Sequence, residues 1–443
     1  LTERYVRVRA LWAPIGRLER HARVLAALKL ANVGLAMLWG FAVTFVFVRL
    51  LPIGEFRAFL LLVAFANFTV SADFGFSGII YARLRRFRLA EAAGDFRPQD
   101  VAMLFAFMAA VVMLGAVVIG AGLATGHIAT GRPGLFMAFY LLTATNIFGI
   151  LAKRALAALD HNLLWEVIDA VRRGLSILLL ILALAGLPIL ASVCLQIGLA
   201  VAALLVGLMV VHVSTGLRRR DWLLRGAGFG AVWRDYMRDM GTTMLLTLSD
   251  VAAYNAPYFG IALVTHDPRP LLVFDFVFKI SRALTAMIRA LVEAVLPRLT
   301  EAYHAGRTDR ARALIGRLRI LGLGSAAALG LFLLVAGRML SGVLFDGKAV
   351  LSEVELAMLA LLLLGLAMLC VSTYVHNGFG RFGALLPPSF AFLLLSVLSV
   401  LGGAWMAGAY GLSFALAFLI LYAGTHVLLG FVHEHMLRRI TRP

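Results

Sequence analysis

Apolar residues run through this chain in stretches of about 20, the length an α-helix needs to cross a hydrocarbon layer ~30 Å thick. The pattern predicts twelve spans, near 30–51, 58–80, 101–123, 135–152, 168–187, 189–212, 241–264, 271–296, 321–340, 354–375, 384–406 and 412–432. The fourth is short, and the fifth and sixth are split mainly by "GLPIL" around Pro188. The fold class is therefore an all-α polytopic membrane protein.

The largest polar break, "RRRDWLLRGAGFGAVWRDYMRDM" (218–240), separates six spans from six. It alternates bulky apolar groups with Arg and Asp, the pattern of an interfacial helix joining two lobes, 1–217 and 241–443. The plainer reading is a solvated charged linker. The halves echo one another: "LLPIGEFRAFLL" joins the first two spans and "THDPRPLLVFDF" the seventh and eighth, as expected of parallel repeats.

Composition agrees, at 62% hydrophobic, 14% charged and mean hydropathy +0.93. A soluble domain is about half apolar and about a quarter charged. A net charge of +18 suggests nucleic acid until its distribution is considered. With the N-terminus inside, 32 of the 41 Lys and Arg fall in cytoplasmic segments, including 82–100, 153–173 and 298–320. That is a positive-inside pattern with both termini in the cytoplasm, and no nucleic acid is implied. Cys194 and Cys370 lie in apolar segments, so no disulfide framework is expected. The basic lead to Lys29 runs into a full-length span rather than a cleaved signal.

The eighth span breaks the pattern. "FDFVFKISRALTAMIRALVEAV" (274–295) holds Asp275, Lys279, Arg282, Arg289 and Glu293. At about 100° per residue these lie at roughly 0, 40, −20, −40 and 0°, one stripe about 80° wide. Val277, Ile280, Leu284, Met287, Leu291 and Val295 form the opposite face. A charge in lipid at a helix centre costs about 2.5–3.5 kcal/mol, so the stripe must pack inward. Asp275–Lys279 and Arg289–Glu293 are i,i+4 pairs, which leaves Arg282 without a carboxylate of its own apart from competition for Asp275. The functional reading is an anion site made by Lys279, Arg282 and Arg289, since guanidinium forks suit phosphate. The alternative is a set of structural salt bridges, and Glu293 lies near the cytoplasmic end, where solvation explains it.

The seventh span carries Thr243, Thr247, Asp250, Tyr254 and Tyr258 on one stripe. An intramembrane carboxylate carries a proton or binds Na⁺, or else pairs with a cation such as Arg282; the spacing favours neither for Asp250. Asp73 in "TVSADFGFSG" is open in the same way between a structural partner and a transport role. Asn32, Asn67, Asn146, Gln196 and Asn255 read as interhelical hydrogen-bond partners. No soluble-enzyme motif is present: His376 and "HEH" (433–435) read as membrane-edge and tail residues rather than a metal site, and "GLGSAAALG" as helix packing. No catalytic residue, metal or cofactor is expected, and no outer connection exceeds about 15 residues, which leaves no room for the catalytic loop of a polymerase or ligase.

Several stretches resemble the polysaccharide (O-antigen type) flippases of the multidrug/oligosaccharidyl-lipid/polysaccharide exporter superfamily. "FVFVRLLPIGEFRAFLLLVAFANFTVSADFGFSG" resembles their first hairpin, with Arg57 where a Gly commonly follows the aromatic. "LPRLTEAYHAGRTDRARALIGRL" resembles the segment after their eighth helix. "LFDGKAVLSEVELAMLALL" and "YGLSFALAFLI" resemble their ninth-to-tenth and last-span patterns. The resemblance implies two six-helix lobes around a central cavity, alternating access, and a substrate built on undecaprenyl pyrophosphate in the bacterial inner membrane. It also implies membrane lipids, glycosyltransferases and a glycan polymerase as partners, with H⁺ or Na⁺ coupling. A small-molecule (multidrug) exporter of the same fold is the alternative, and its cavity would be acidic rather than basic.

Overall fold

The computed structural model describes residues 22–71, 73, 77, 80, 81, 84, 85, 99–215 and 229–440. The helices are α1 (Ala22–Leu50), α2 (Ile53–Ser71), α3 (Gln99–Ala124), α4 (Pro133–Ala144), α5 (Asn146–Ala158), α6 (Asn162–Leu184) and α7 (Ile189–Thr215). They continue with α8 (Phe229–Val264), α9 (Arg269–His304), α10 (Thr308–Leu344), α11 (Glu353–Gly378), α12 (Phe382–Tyr410) and α13 (Phe414–Ile440). Helix is the only regular structure among the described residues. A break at Thr145 divides one span into α4 and α5, so the thirteen segments make twelve helical passes, and the chain is a multi-pass membrane protein. Among the described residues, nine passes are long and apolar enough to cross a membrane by length and composition alone. The other three, α6, α8 and α9, are the ones interrupted by ionisable side chains.

The helices outrun the predicted spans at their charged ends. α10 begins at Thr308 rather than 321, and α13 runs to Ile440. Hydropathy marks where lipid ends, whereas backbone hydrogen bonding continues into the polar layer. The segment 153–173 shows the same continuation. Residues 153–173, expected as a cytoplasmic segment, are helical except for the turn 159–161, so Asp169, Arg172 and Arg173 sit well inside α6. Of the predicted linker 218–240, the first part lies outside the described residues, and 229–240 continue into α8 without a break.

The chain forms two compact units, 1–46 with 62–247, and 47–61 with 248–443. In the first, α7 packs against α4, α5 and α6, and α3 against α4. In the second, α11 packs against α13, α10 and α9, while α12 packs against α13. The α11–α13 crossing is very close: a Cβ at Gly365 would stand 2.5 Å from the backbone carbonyl of His426. A Cβ at Gly430 would stand 2.8 Å from the Gly365 oxygen. Small residues here exchange side-chain volume for backbone proximity, which drives helix association where lipid is as apolar as Leu.

The tip of the α1–α2 hairpin, residues 47–61, belongs to the second unit, and its cations satisfy helix ends there. Arg49 donates to the carbonyls of Val343 (2.6 Å) and Leu344 (3.4 Å) at the end of α10. Arg57 donates to those of Ala262, Thr265 (2.8 Å) and His266 (3.0 Å) at the end of α8. Lys348 answers by donating to Val48 O at 2.6 Å, near the end of α1. Each meets carbonyls that have no intrahelical donor, at the negative end of a helix dipole. The Arg at position 57 thus has a structural task.

Candidate functional site

α9 buries the first half of its predicted apolar face, Val277, Ile280 and Leu284; further along, Leu291 and Val295 are half-buried and the buried positions shift to Ile288 and Val292. Met287 is 39% exposed, so the apolar face thins toward its far end. On the charged side, Lys279 closes on both carboxylate oxygens of Asp275. Tyr258 of α8 donates to Asp275 Oδ1 at 2.9 Å, and Tyr258 and Asp275 are both buried. That cross-helix hydroxyl was not visible in either helix's spacing. Two turns on, Arg289 Nε meets Glu293 Oε1 at 2.8 Å, with both groups more than half exposed.

Arg282 lies between these pairs. It is exposed, its guanidinium carbon stands 5.9 Å from the centroid of the Phe278 ring, and no carboxylate among the described residues lies within ion-pair distance. The stripe therefore comprises two neutralised pairs and one cation held against an aromatic face, a net positive surface.

α8 brings Asp250 and Tyr254 to the same unit, one turn apart. Asp250 accepts a hydrogen bond from the Ser389 hydroxyl of α12. It does not pair with Arg282; Cys370 of α11 feels both charges and shares a hydrogen bond with Thr285 of α9 at 3.6 Å. Tyr254 packs edge-on against Phe392, centroids 5.0 Å apart. Tyr374 feels the charges of Arg282 and Arg289. The candidates Asp250, Tyr254, Asp275, Lys279, Arg282 and Arg289 thus all lie on α8 and α9 in the second unit, with Ser389 of α12 and Cys370 and Tyr374 of α11 nearby. Asp73 is elsewhere, in the first unit, where its carboxylate accepts from the Ser77 amide (3.0 Å) and hydroxyl (2.8 Å).

Sequence reasoning missed a second charged cluster, in the first unit. Glu166 of α6 is fully buried and meets Lys153 Nζ at 2.8 Å; Asn32 Nδ2 donates to its Oε2 at 2.6 Å. Asp169 is shared by Arg172 (2.7 Å) and Arg173 (2.9 Å). The signal was available in "WEVIDAVRR", where Arg follows Asp at i+3 and i+4. Asn32 and Gln196 make the interhelical bonds expected of them, Gln196 by accepting from Trp39 at 3.0 Å. The histidines need correction: His376 and His433 are buried, and Glu434 is bound by Arg319 at 2.6 Å and Arg438 at 2.8 Å. "HEH" is a packed helix end, because α13 stays helical to Ile440. No group of residues suited to a metal ion occurs among those described.

No protein-family model matches the sequence, and no curated protein matches it. Solved structures do. A mutant of the Vibrio cholerae MATE transporter VcmN superposes with a TM-score of 0.65, covering 96% of this chain and 97% of that one at 14% identity. The fold is that of the MATE transporters. An inward-facing multidrug resistance MATE transporter of the MOP superfamily gives a TM-score of 0.61 at 13% identity, covering 95% and 94%. A MOP superfamily transporter from Pyrococcus furiosus, described as having a binding pocket of reverse polarity that suggests a different function, gives 0.56 at 14%, covering 94% of each chain. At such identities the likeness carries the fold alone.

Proposed function

We propose that this protein is a transporter working by alternating access, and that it carries an undecaprenyl-pyrophosphate-linked oligosaccharide from the cytoplasmic to the outer leaflet. The observation that carries this reading is Arg282, an exposed guanidinium midway along α9 with no carboxylate among the described residues. Its charge must be met by water or substrate, and a fork of N–H donors meets a pyrophosphate well. Lys279 and Arg289, each tied to a carboxylate, set a positive potential around it and exchange partners as the phosphate arrives. Asp250, beside Tyr254 and bound only by a hydroxyl, is the candidate carrier of a coupling H⁺ or Na⁺. The proposed setting is the bacterial inner membrane with both termini inside, alongside glycosyltransferases and a glycan polymerase.

A second reading, export of small amphipathic drugs, draws on the likeness to structures described as multidrug resistance MATE transporters. Liposome translocation separates the two. With a fluorescent lipid-linked oligosaccharide, Arg282→Ala should abolish flipping with an unchanged thermal midpoint. Arg282→Lys should retain part of it, because charge survives while the fork is lost. Wild-type protein that exports cationic dyes, unaffected by Arg282→Ala, and leaves the lipid-linked sugar in place would establish the drug reading instead.

A further inference from the structure

The first unit holds a charge imbalance at depth. Lys153 and Glu166 neutralise one another, but Asp169 alone faces two guanidinium groups. Arg172 stands ten residues into α6, about 15 Å along the helix at 1.5 Å per residue, and its side chain is largely buried. Its Nε and Nη2 donate to Asp169 Oδ1 at 3.1 and 2.7 Å, and its Nη1 reaches Asn146 Oδ1 at 3.5 Å. A guanidinium has five N–H donors, so two remain.

Beside it is a cavity of about 30 Å³, lined by Arg172, Thr145, Asn146, Trp165 and, from α7, Ala200 and Leu204 among others. It lies at the break between α4 and α5, where Thr145 and Asn146 line it. Asn146 Nδ2 donates to Thr143 O at 3.0 Å and keeps a second amide N–H. Trp165 is seated by two glycines: a Cβ would stand 3.7 Å from its ring at Gly149 and 2.9 Å at Gly207. A space of this size accepts one water or one monatomic ion, and a phosphate or carboxylate needs more. Water leaves the charge unmet. Apart from Arg172, Asn146 and Thr145, the lining side chains are apolar or aromatic.

We infer that this cavity binds a single chloride-sized monovalent anion, held by the Arg172 guanidinium and the Asn146 amide beside Trp165. The ion completes the charge of the Asp169–Arg172–Arg173 cluster and fixes α6 against α5 and α7. It is independent of the α9 stripe and of what the protein transports.

The test uses the full chain in detergent. Chloride or bromide, compared with gluconate at equal ionic strength, should raise the thermal midpoint saturably by about 2 °C or more. Iodide should quench a component of tryptophan fluorescence that Trp165→Phe removes. Ala200→Leu, which fills the cavity and leaves every charge in place, should eliminate both responses. Leu204→Phe repeats the test should that variant fail to fold, and Arg172→Gln should act alike. A wild-type midpoint indifferent to halide, or a halide response that survives cavity filling, would overturn the proposal.

Discussion

Arg269 grips Glu355 through both terminal nitrogens, Nη1 to Oε1 at 3.0 Å and Nη2 to Oε2 at 2.8 Å. Glu355 is also the return arm of the capping box that starts α11, accepting from the Ser352 amide at 2.8 Å while its own amide donates to Ser352 Oγ at 3.3 Å. One buried carboxylate therefore begins a helix and holds the neighbouring helix start. Glu355→Ala should cost roughly 2–4 kcal/mol, the lower part of the range for a broken buried pair because Arg269 is partly hydrated. Thermal unfolding in detergent reads it. Arg269→Lys, which keeps the charge and loses the fork, should cost less.

Asp250 lies among uncharged partners, Ser389 and Tyr254, rather than in an ion pair. Asp250→Asn should therefore fold normally and bind substrate, yet lose gradient-driven uptake in liposomes. Depletion of the variant from the membrane would instead assign the carboxylate a structural role beside Ser389.

The glycine crossing makes a sharper stability prediction. Gly365→Ala places a methyl within 2.5 Å of backbone atoms that cannot rotate away, so α11 and α13 must separate, at a cost of about 1–3 kcal/mol. Gly383→Ala, with open space around it in α12, should be neutral or slightly stabilising. Paired melting curves of the two variants check this.

Topology is tested by labelling. Cysteines at Gly131 and Ala407 should react with an impermeant reagent from outside, and cysteines at Gly94 and Gly306 should not. Outside labelling at Gly306, in the turn between α9 and α10, would reverse the proposed orientation.

Periodicity made part of this site legible before any coordinates. The pairs Asp275–Lys279 and Arg289–Glu293 are set by helix geometry alone, and so was the solitary position of Arg282. What crosses between helices was hidden: the Tyr258 hydroxyl on Asp275, and Ser389 rather than Arg282 at Asp250. The cluster around Asp169 was missed for a different reason. Counting cations by loop assigned Arg172 and Arg173 to the cytoplasm, because a hydropathy window cannot separate a charged helix start from a charged loop. The histidines of the last helix were misread for the same cause, since α13 outlasts its apolar stretch.

The hairpin arginines have a consequence for how the gene can be divided. A fragment from Phe229 onward contains the helices α8 to α13, yet its α8 and α10 would end without their side-chain donors, because Arg49 and Arg57 are encoded in the other half. Split expression at the apparent midpoint would release a second fragment unable to finish its own helix ends, and a fusion swapping second halves between relatives would need the donor's hairpin to travel with it. Residues 47–61 belong to the unit that otherwise starts at Leu248, so any cassette design must carry that distant piece along with the second half.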